Sequence, residues 1–447
     1  MESKKNLFES MPIPKAVMTL AIPTIISSLV MVVYNMADTY FVGLLGDPIQ
    51  TASVTLSGPL LLAFNAVGNL FGVGSSSVMS RSLGEKNYKM VKQASAIGVY
   101  SSFASAALYS LMVLAFYKPL LIILGADVTT EEATIGYINY AIILGAVPSI
   151  VNVVFSYLVR AEGLAFHASV GTMSGAILNM ILDPIFIMPW GLNMGAAGAG
   201  LATMLSNVVA CLYYIILIKK LKENTFISIN IKDLSFDKKV WKRITGVGIP
   251  ASIQNLLNVT GLTILNNFTA IYGANAVAAM GIASKIQLVP LQIAFGASQG
   301  VMPLISYNYA NRNRERMKDT IKYLMKYMLL FMSIIVALGF IFPKQIISLF
   351  MTNPEVVHYG SSFVRGLILV MPFLTIDFTA VGVFQAIGDG KKALIFAILR
   401  KIVFEIPLLF ILNYFFSIYG LPYAQVISEI VLAFLAIIMM RRIMRGY

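Results

Sequence analysis

Charge is scarce in this chain. Only 12% of its 447 residues are Asp, Glu, Lys or Arg, about half the share of a soluble globular domain. Cysteine is scarcer still, and the single one, Cys211, falls inside an apolar run. A disulfide within the chain and a cysteine metal site are therefore excluded. The two histidines, His167 and His358, lie near expected loops and read as solvated side chains rather than ligands. No phosphate-binding Gly-rich loop, HExxH motif or nucleophile elbow is present, so enzymatic chemistry and ATP-driven work have no motif behind them and no cofactor is expected. What remains is apolar: 58% of the residues are hydrophobic and the mean hydropathy is +0.80. The composition is that of an integral membrane protein.

A membrane span needs roughly 20 apolar residues, and the sequence offers twelve such windows: 16–43, 52–80, 93–117, 134–159, 168–189, 196–219, 244–272, 276–306, 320–342, 359–387, 392–416 and 420–440. The polar stretch up to Lys15 precedes an apolar run too long for a signal peptide, so a retained first span is expected. In a soluble protein a net charge of +13 would point to nucleic acid, but here the basic residues sit in short clusters between spans. Taking the N-terminus as inside, the inner segments hold nearly all of them, including Arg81, Lys86, Lys89 and Lys92, the run from Lys219 to Arg243, and Arg441, Arg442 and Arg445. The outer loops hold only Lys118 and Lys344. This asymmetry predicts an even number of spans with both termini cytoplasmic, and no nucleic-acid partner.

The chain also repeats itself at a spacing of roughly 225 residues. Ala21-Ile-Pro23 matches Gly248-Ile-Pro250, Gly84-Glu-Lys-Asn87 falls against Ala310-Asn-Arg-Asn313, and Arg160-Ala-Glu-Gly163 matches Gln385-Ala-Ile-Gly388. Gly198, Ala202 and Ser206 correspond to Gly420, Ala424 and Ser428. Six spans followed by six of the same orientation are parallel repeats related by an axis along the membrane normal. The expected division is an N-lobe over 1–221, a cytoplasmic linker over 222–243 and a C-lobe over 244–447. Two such lobes suit alternating access, in which a substrate lies between units that rock about it.

Intramembrane polar residues are costly, roughly 2.5–3.5 kcal/mol for a charge at a helix centre, and are kept where they are used. In the fifth window Asn179 and Asp183 are four apart and share one helix face. Asp38 near the end of the first window, and Thr203 two turns into the sixth, fall at the same outer depth. Two carboxylates, an amide and a hydroxyl form a hard oxygen set suited to Na⁺ or to a shared proton; the two neutral oxygens tilt the reading toward Na⁺. Pro184 adds a helix bend and frees the Met180 carbonyl. The bland alternative is helix glue, with the acids bonding Asn35, Thr39 and Asn179. The second half carries Gln254, Asn258, Lys285, Asp377, Arg400, Lys401, Glu405 and Glu429. Lys401 and Glu405, four apart, are expected to pair. Asp377 is expected either to face a substrate cavity or to pair with Lys285, and Arg365 to snorkel to the interface.

These stretches together resemble the multidrug and toxic compound extrusion (MATE) family, close to its DinF-like and MepA-like bacterial exporters. The resemblance spans nearly the whole chain. It rests on Ala37-Asp38-Thr39, Gly72-Val-Gly74 through Ser82-Leu-Gly84, Arg160-Ala-Glu-Gly163, Leu178 through Pro184, Gly195 through Thr203, and Ala386-Ile-Gly388-Asp389. It implies an all-α membrane fold of twelve helices in two lobes forming a V, in a bacterial cytoplasmic membrane. It also implies export of amphipathic, often cationic drugs in exchange for Na⁺ or H⁺, by a monomer whose other contacts are with membrane lipid. The family's first-lobe cation site carries over onto Asp38, Asn179, Asp183 and Thr203. Asp377 matches an acid of the second lobe, whereas Asn258 stands where the NorM-like branch has Glu, which shifts weight to the first lobe. Two alternatives remain at this point: a lipid-linked oligosaccharide flippase of the same superfamily, and a passive channel or scaffold.

Overall fold

The computed structural model describes residues 5–445, with the side chain of Glu223 left aside, and among these residues there is no strand. Twelve long helices follow in order. The first six are α1 (Ile13–Gly43), α2 (Pro48–Gly84, broken at Ser57), α3 (Tyr88–Ala115), α4 (Glu131–Leu144 and Ala146–Ala161), α5 (Ala165–Ile187) and α6 (Gly195–Leu221). The second six are α7 (Lys238–Ala270), α8 (Ala274–Ala310), α9 (Arg314–Ile341), α10 (Pro354–Ile387), α11 (Gly390–Ile398, a π-helical stretch Leu399–Glu405, then Ile406–Phe416) and α12 (Leu421–Arg445). Eight helices among the described residues are each long and apolar enough to cross a membrane, and α4, whose halves meet at 47°, makes a ninth. By contrast α7 opens on Lys238, Lys239, Lys242 and Arg243, and α11 carries Arg400, Lys401 and Glu405.

Each expected window falls on one of these helices, and most helices begin before the apolar run does. The reason is capping: Asn87, Asp237, Asn313, Asn353 and Asp389 accept backbone N–H groups of the first turns of α3, α7, α9, α10 and α11, which lets the helix start in polar surroundings. Thus α7 begins at Lys238, inside the stretch read as linker. The preceding residues are docked rather than slack. Glu162 accepts from the Thr225 hydroxyl at 2.8 Å and the Phe226 N–H at 2.6 Å, and Tyr100 donates to the Ile229 carbonyl at 2.7 Å.

The repeat is visible in the backbone itself. Residues with positive φ recur at about the repeat spacing, as Gly46 and Gly273, Lys86 and Arg312, Gly163 and Gly388, and Asn193 and Ser417. The two lobes meet along the halves of their helices nearest the basic loops, where α2 packs on α7 and α1 on α8. Glycine makes that approach possible. A Cβ on Gly248 would overlap the Leu70 carbonyl, and one on Gly300 would lie 2.7 Å from the Leu20 carbonyl. Hydrogen bonds cross the same seam: Ser77 donates to the Gln385 carbonyl at 2.5 Å, and Ser306 of α8 donates to the Ser77 carbonyl at 3.5 Å. The segment before α1 closes it further, since Phe8 stacks on Tyr307 with ring centroids 4.7 Å apart and Arg316 donates to the Phe8 and Met11 carbonyls at 2.6 and 2.7 Å.

Candidate cation site and central cavity

On α5, Asn179 and Asp183 stack one turn apart on the face turned toward α1 and α6, and both are fully buried. Asn179 lies between Asp183 and Thr203. With its amide oriented to satisfy both neighbours, the nitrogen donates to Asp183 Oδ2 at 2.9 Å and the oxygen accepts from the Thr203 N–H at 3.0 Å. Asp38 reaches the same neighbourhood from α1, near enough to act electrostatically on Asp183, Tyr34 and Tyr137. The structure thus brings together the four residues singled out in the first half of the sequence. Two were missed: Tyr34, which bonds Thr203, and Tyr137 of α4. Tyr34 is one helical turn before Asp38, so its place on that face was legible; Tyr137 arrives only through the bend of α4.

One oxygen of each acid, Asp38 Oδ1 and Asp183 Oδ1, is buried without a hydrogen-bond partner. No Lys or Arg among the described residues forms an ion pair with either. The glue arrangement is met only in part: Thr39 donates to the Asn35 backbone carbonyl at 3.0 Å rather than to Asp38, and only the Asn179–Asp183 bond forms. A buried oxygen without a donor costs roughly 1–3 kcal/mol. Two such oxygens, the Asn179 and Thr203 oxygens and the two phenols make a site whose chemistry fits a small cation or a proton. Proline's missing N–H also leaves the Met180 carbonyl without an intrahelical donor, although α5 runs on through Pro184 to Ile187.

The second lobe differs. Asp377 does not pair with Lys285 and lines neither of the two interior cavities described below. It is buried against Arg400 at 2.8 Å, while the other arm of that guanidinium donates to Asn258 Oδ1 at 2.6 Å. Glu429 of α12 lies 3.8 Å from Arg400 Nε, and Lys401 donates to both oxygens of Glu405 at 2.6 Å. The physical reason is the π-helical stretch of α11, which holds both Arg400 and Lys401 inside the lobe; π-turns are rare and concentrate at functional sites. The pairing of Lys401 with Glu405 follows the four-residue spacing. Of the remaining residues, Gln254 and Asn258 line the space between the lobes, and Lys285 and Arg365 are exposed. His358 is exposed, whereas His167 is half-buried with its Nδ1 3.2 Å from the Tyr213 hydroxyl.

Between the lobes, beyond the sealed basic half, lies a cavity of about 330 Å³. Asn65, Asn69 and Tyr157 face it from the first lobe, and Gln254, Asn258 and Gln299 from the second. Its polar walls are neutral amides and hydroxyls. A second space of about 400 Å³ continues into the second lobe past the shared residues Asn258, Leu291 and Phe378.

Comparison with known proteins accounts for the architecture. A family model described as MatE matches twice, over residues 23–185 and 250–411, once in each lobe. The multidrug export protein MepA of Staphylococcus haemolyticus (strain JCSC1435) is 34% identical over 430 residues, covering 96% of this chain and 93% of that protein. MepA of Staphylococcus aureus (strain MRSA252) is 34% identical over 432 residues, with 96% and 94% covered. Among solved structures, the outward-facing conformation of a multidrug resistance MATE family transporter of the MOP superfamily superposes with a TM-score of 0.92 at 26% identity, covering 100% of this chain and 98% of that one. A MATE protein in complex with MaL6 gives 0.92 at 26% identity, with 100% and 99% covered. With both repeats matched, relatives aligned end to end and the two-lobe, twelve-helix fold shared, the chain belongs to the MATE (MatE) family of multi-pass membrane transporters.

Proposed function

We propose that this chain is a secondary multidrug exporter that moves amphipathic, often cationic compounds outward in exchange for Na⁺ or H⁺. The observation that carries the proposal is the pair of first-lobe carboxylates, half-buried Asp38 and fully buried Asp183, each with one buried oxygen unpartnered and no basic side chain to neutralise them. A cation that enters from outside satisfies those oxygens. It changes the packing of α1 against α5 and α6, and so the affinity of the lobes for the compound held between them. Asn179 and Thr203 supply neutral oxygens, and Gln254 and Asn258 offer hydrogen bonds to the substrate.

The basic end of the bundle, where the lobes are sealed, is then the cytoplasmic end of a bacterial plasma-membrane protein with both termini inside. On this reading the cleft between the lobes opens to the outside. The functional units are the N-lobe over 1–221 and the C-lobe from 244 onward, joined through the docked segment over 222–243, and a monomer contains the complete site. No covalent chemistry and no cofactor enter this scheme. Ethidium efflux from vesicles bearing the protein tests it, with an imposed Na⁺ gradient in one series and an imposed pH gradient in another. Efflux driven by one of the two is the expected result; ethidium flux indifferent to both would sink the proposal in favour of a passive pathway.

A further inference from the structure

In the lining of the second-lobe cavity three cations face one acid, Glu405, while Asp377 and Glu429 lie behind it against Arg400. Three cations belong to its lining, Lys285, Arg400 and Lys401. Arg400 is committed to Asp377 and Asn258, and Lys401 to Glu405. Lys285 has neither an ion pair nor a hydrogen bond among the described residues. It sits eleven residues into α8, counted from Ala274, roughly 16 Å along the helix axis at 1.5 Å per residue and so near the middle of a hydrocarbon core about 30 Å thick. An unpaired cation at that depth is expensive and marks a pathway or a ligand counter-charge.

Lys285 also points the right way for such a role. Lys285, Leu288, Gln292, Phe295 and Gln299 follow one another at helical spacing along α8, and all five line the two adjoining spaces. The side chain therefore faces the interior rather than lipid. The rest of the chamber is largely aliphatic and aromatic, with Leu262, Leu265, Leu288 and Phe378 among its walls, and Gln287 donates to the Leu367 carbonyl and to Gln425. An apolar chamber with a single uncompensated ammonium group is complementary to an amphipath that carries one acidic group.

We propose that the second-lobe chamber is a binding subsite for anionic amphipaths, with Lys285 as the counter-charge to a carboxylate, sulfonate or phosphate. The inference rests on the exporter reading for the meaning of the cavity, and it extends the substrate range beyond cations. The same acidic chemistry is offered by a soluble compound and by the phosphate of an anionic lipid, and the test separates them.

Two xanthene dyes of opposite charge, anionic fluorescein and cationic rhodamine 6G, are titrated against the full chain in nanodiscs of phosphatidylcholine, with binding read by fluorescence anisotropy. Lys285→Met should weaken fluorescein at least tenfold relative to rhodamine 6G, Lys285→Glu should widen that gap, and Lys285→Arg should restore the wild-type ratio. An unchanged ratio in Lys285→Met, or an equal loss of both dyes in the Met and Arg variants, would overturn the proposal. Displacement of fluorescein by phosphatidylglycerol added to wild-type discs but not to Lys285→Met discs identifies a lipid phosphate as the occupant. Lys285-dependent fluorescein binding that phosphatidylglycerol does not disturb identifies a soluble amphipath. Because binding is measured without any ion gradient, failure here is distinct from failure of the coupled-export scheme.

Discussion

The two lobes descend from one repeat yet treat buried charge in opposite ways. In the first, Asp38 and Asp183 share a pocket with an amide, a hydroxyl and two phenols but no basic side chain, and an oxygen of each is left without a partner. In the second, Asp377 Oδ1 and both Glu429 oxygens also lack a hydrogen-bond partner, but a built-in cation stands beside every acid: Asp377 and Glu405 each lie within 2.8 Å of one, and Glu429 lies 3.8 Å from the same Arg400 that holds Asp377. The region of α11 corresponding to Asn179 and Asp183 carries Lys401 and Glu405, and the helix there is π-helical rather than α-helical. A carboxylate deep in low dielectric needs a cation from somewhere. One lobe carries its cations on its own side chains; the other leaves the place open, and in the proposed scheme that open place is what responds to a cation from outside.

This contrast is best attacked where the second lobe is held together. Arg400→Met removes the partner of Asp377 and Glu429 together and should cost about 3–5 kcal/mol, the usual penalty for stranding a buried ion, seen as a large drop in thermal unfolding temperature in detergent. Adding Asp377→Asn should recover part of that loss; no recovery would mean that Arg400 acts by packing alone. Lys401→Met by itself should destabilise by about 3 kcal/mol, whereas the double change Lys401→Met with Glu405→Leu should fall near neutral, as paired removal of buried ions often does. A double variant as unstable as the single one would show that Glu405 has a duty beyond the pair.

In the first lobe the expected effects lie in transport rather than stability. Asp183→Asn should lower gradient-driven ethidium efflux on the order of 100-fold, near the top of the range for a coupling interaction, with the protein still folded in the membrane. Efflux at the wild-type level would remove the reason for calling this lobe the responsive one. Thr203→Val deletes a single neutral oxygen and should change the apparent affinity for the driving ion about fivefold, close to the 1 kcal/mol of one hydrogen bond. That smaller shift sharpens the assignment: a loss confined to a Na⁺-driven assay favours direct ion contact by the hydroxyl.

The helices were legible because their signal is local. Runs of about 20 apolar residues punctuated by Lys and Arg follow from the cost of placing charge and unpaired backbone in hydrocarbon, and all twelve windows fall on helices. The repeat was legible for the same reason, since positions such as Gly163 and Gly388, or Lys86 and Arg312, need unusual backbone angles wherever the motif occurs. Asn179 and Asp183 could be placed on one face from their spacing, as could the Lys401–Glu405 pair. Asp377 could not: its competing partners, Lys285 and Arg400, lie 92 and 23 positions away, and one-dimensional spacing says nothing about which of them a neighbouring helix presents. The docking of the segment around Thr225 on Glu162 was likewise hidden, because it joins residues 63 apart.

The amino-acid sequence by itself determined a membrane protein of two parallel repeats, its basic and non-basic ends, and the kinds of atoms available at mid-membrane, all of which follow from solvent transfer energies and helix periodicity. Only the tertiary structure decided which charges meet. Partner choice across helices depends on the rotation of each helix about its axis and on local departures from α-helical winding, such as the stretch from Leu399 to Glu405. A rotation of one residue, about 100°, would exchange a neutralised acid for a stranded one. That is why two lobes with matching motifs end with one set of carboxylates paired and the other open.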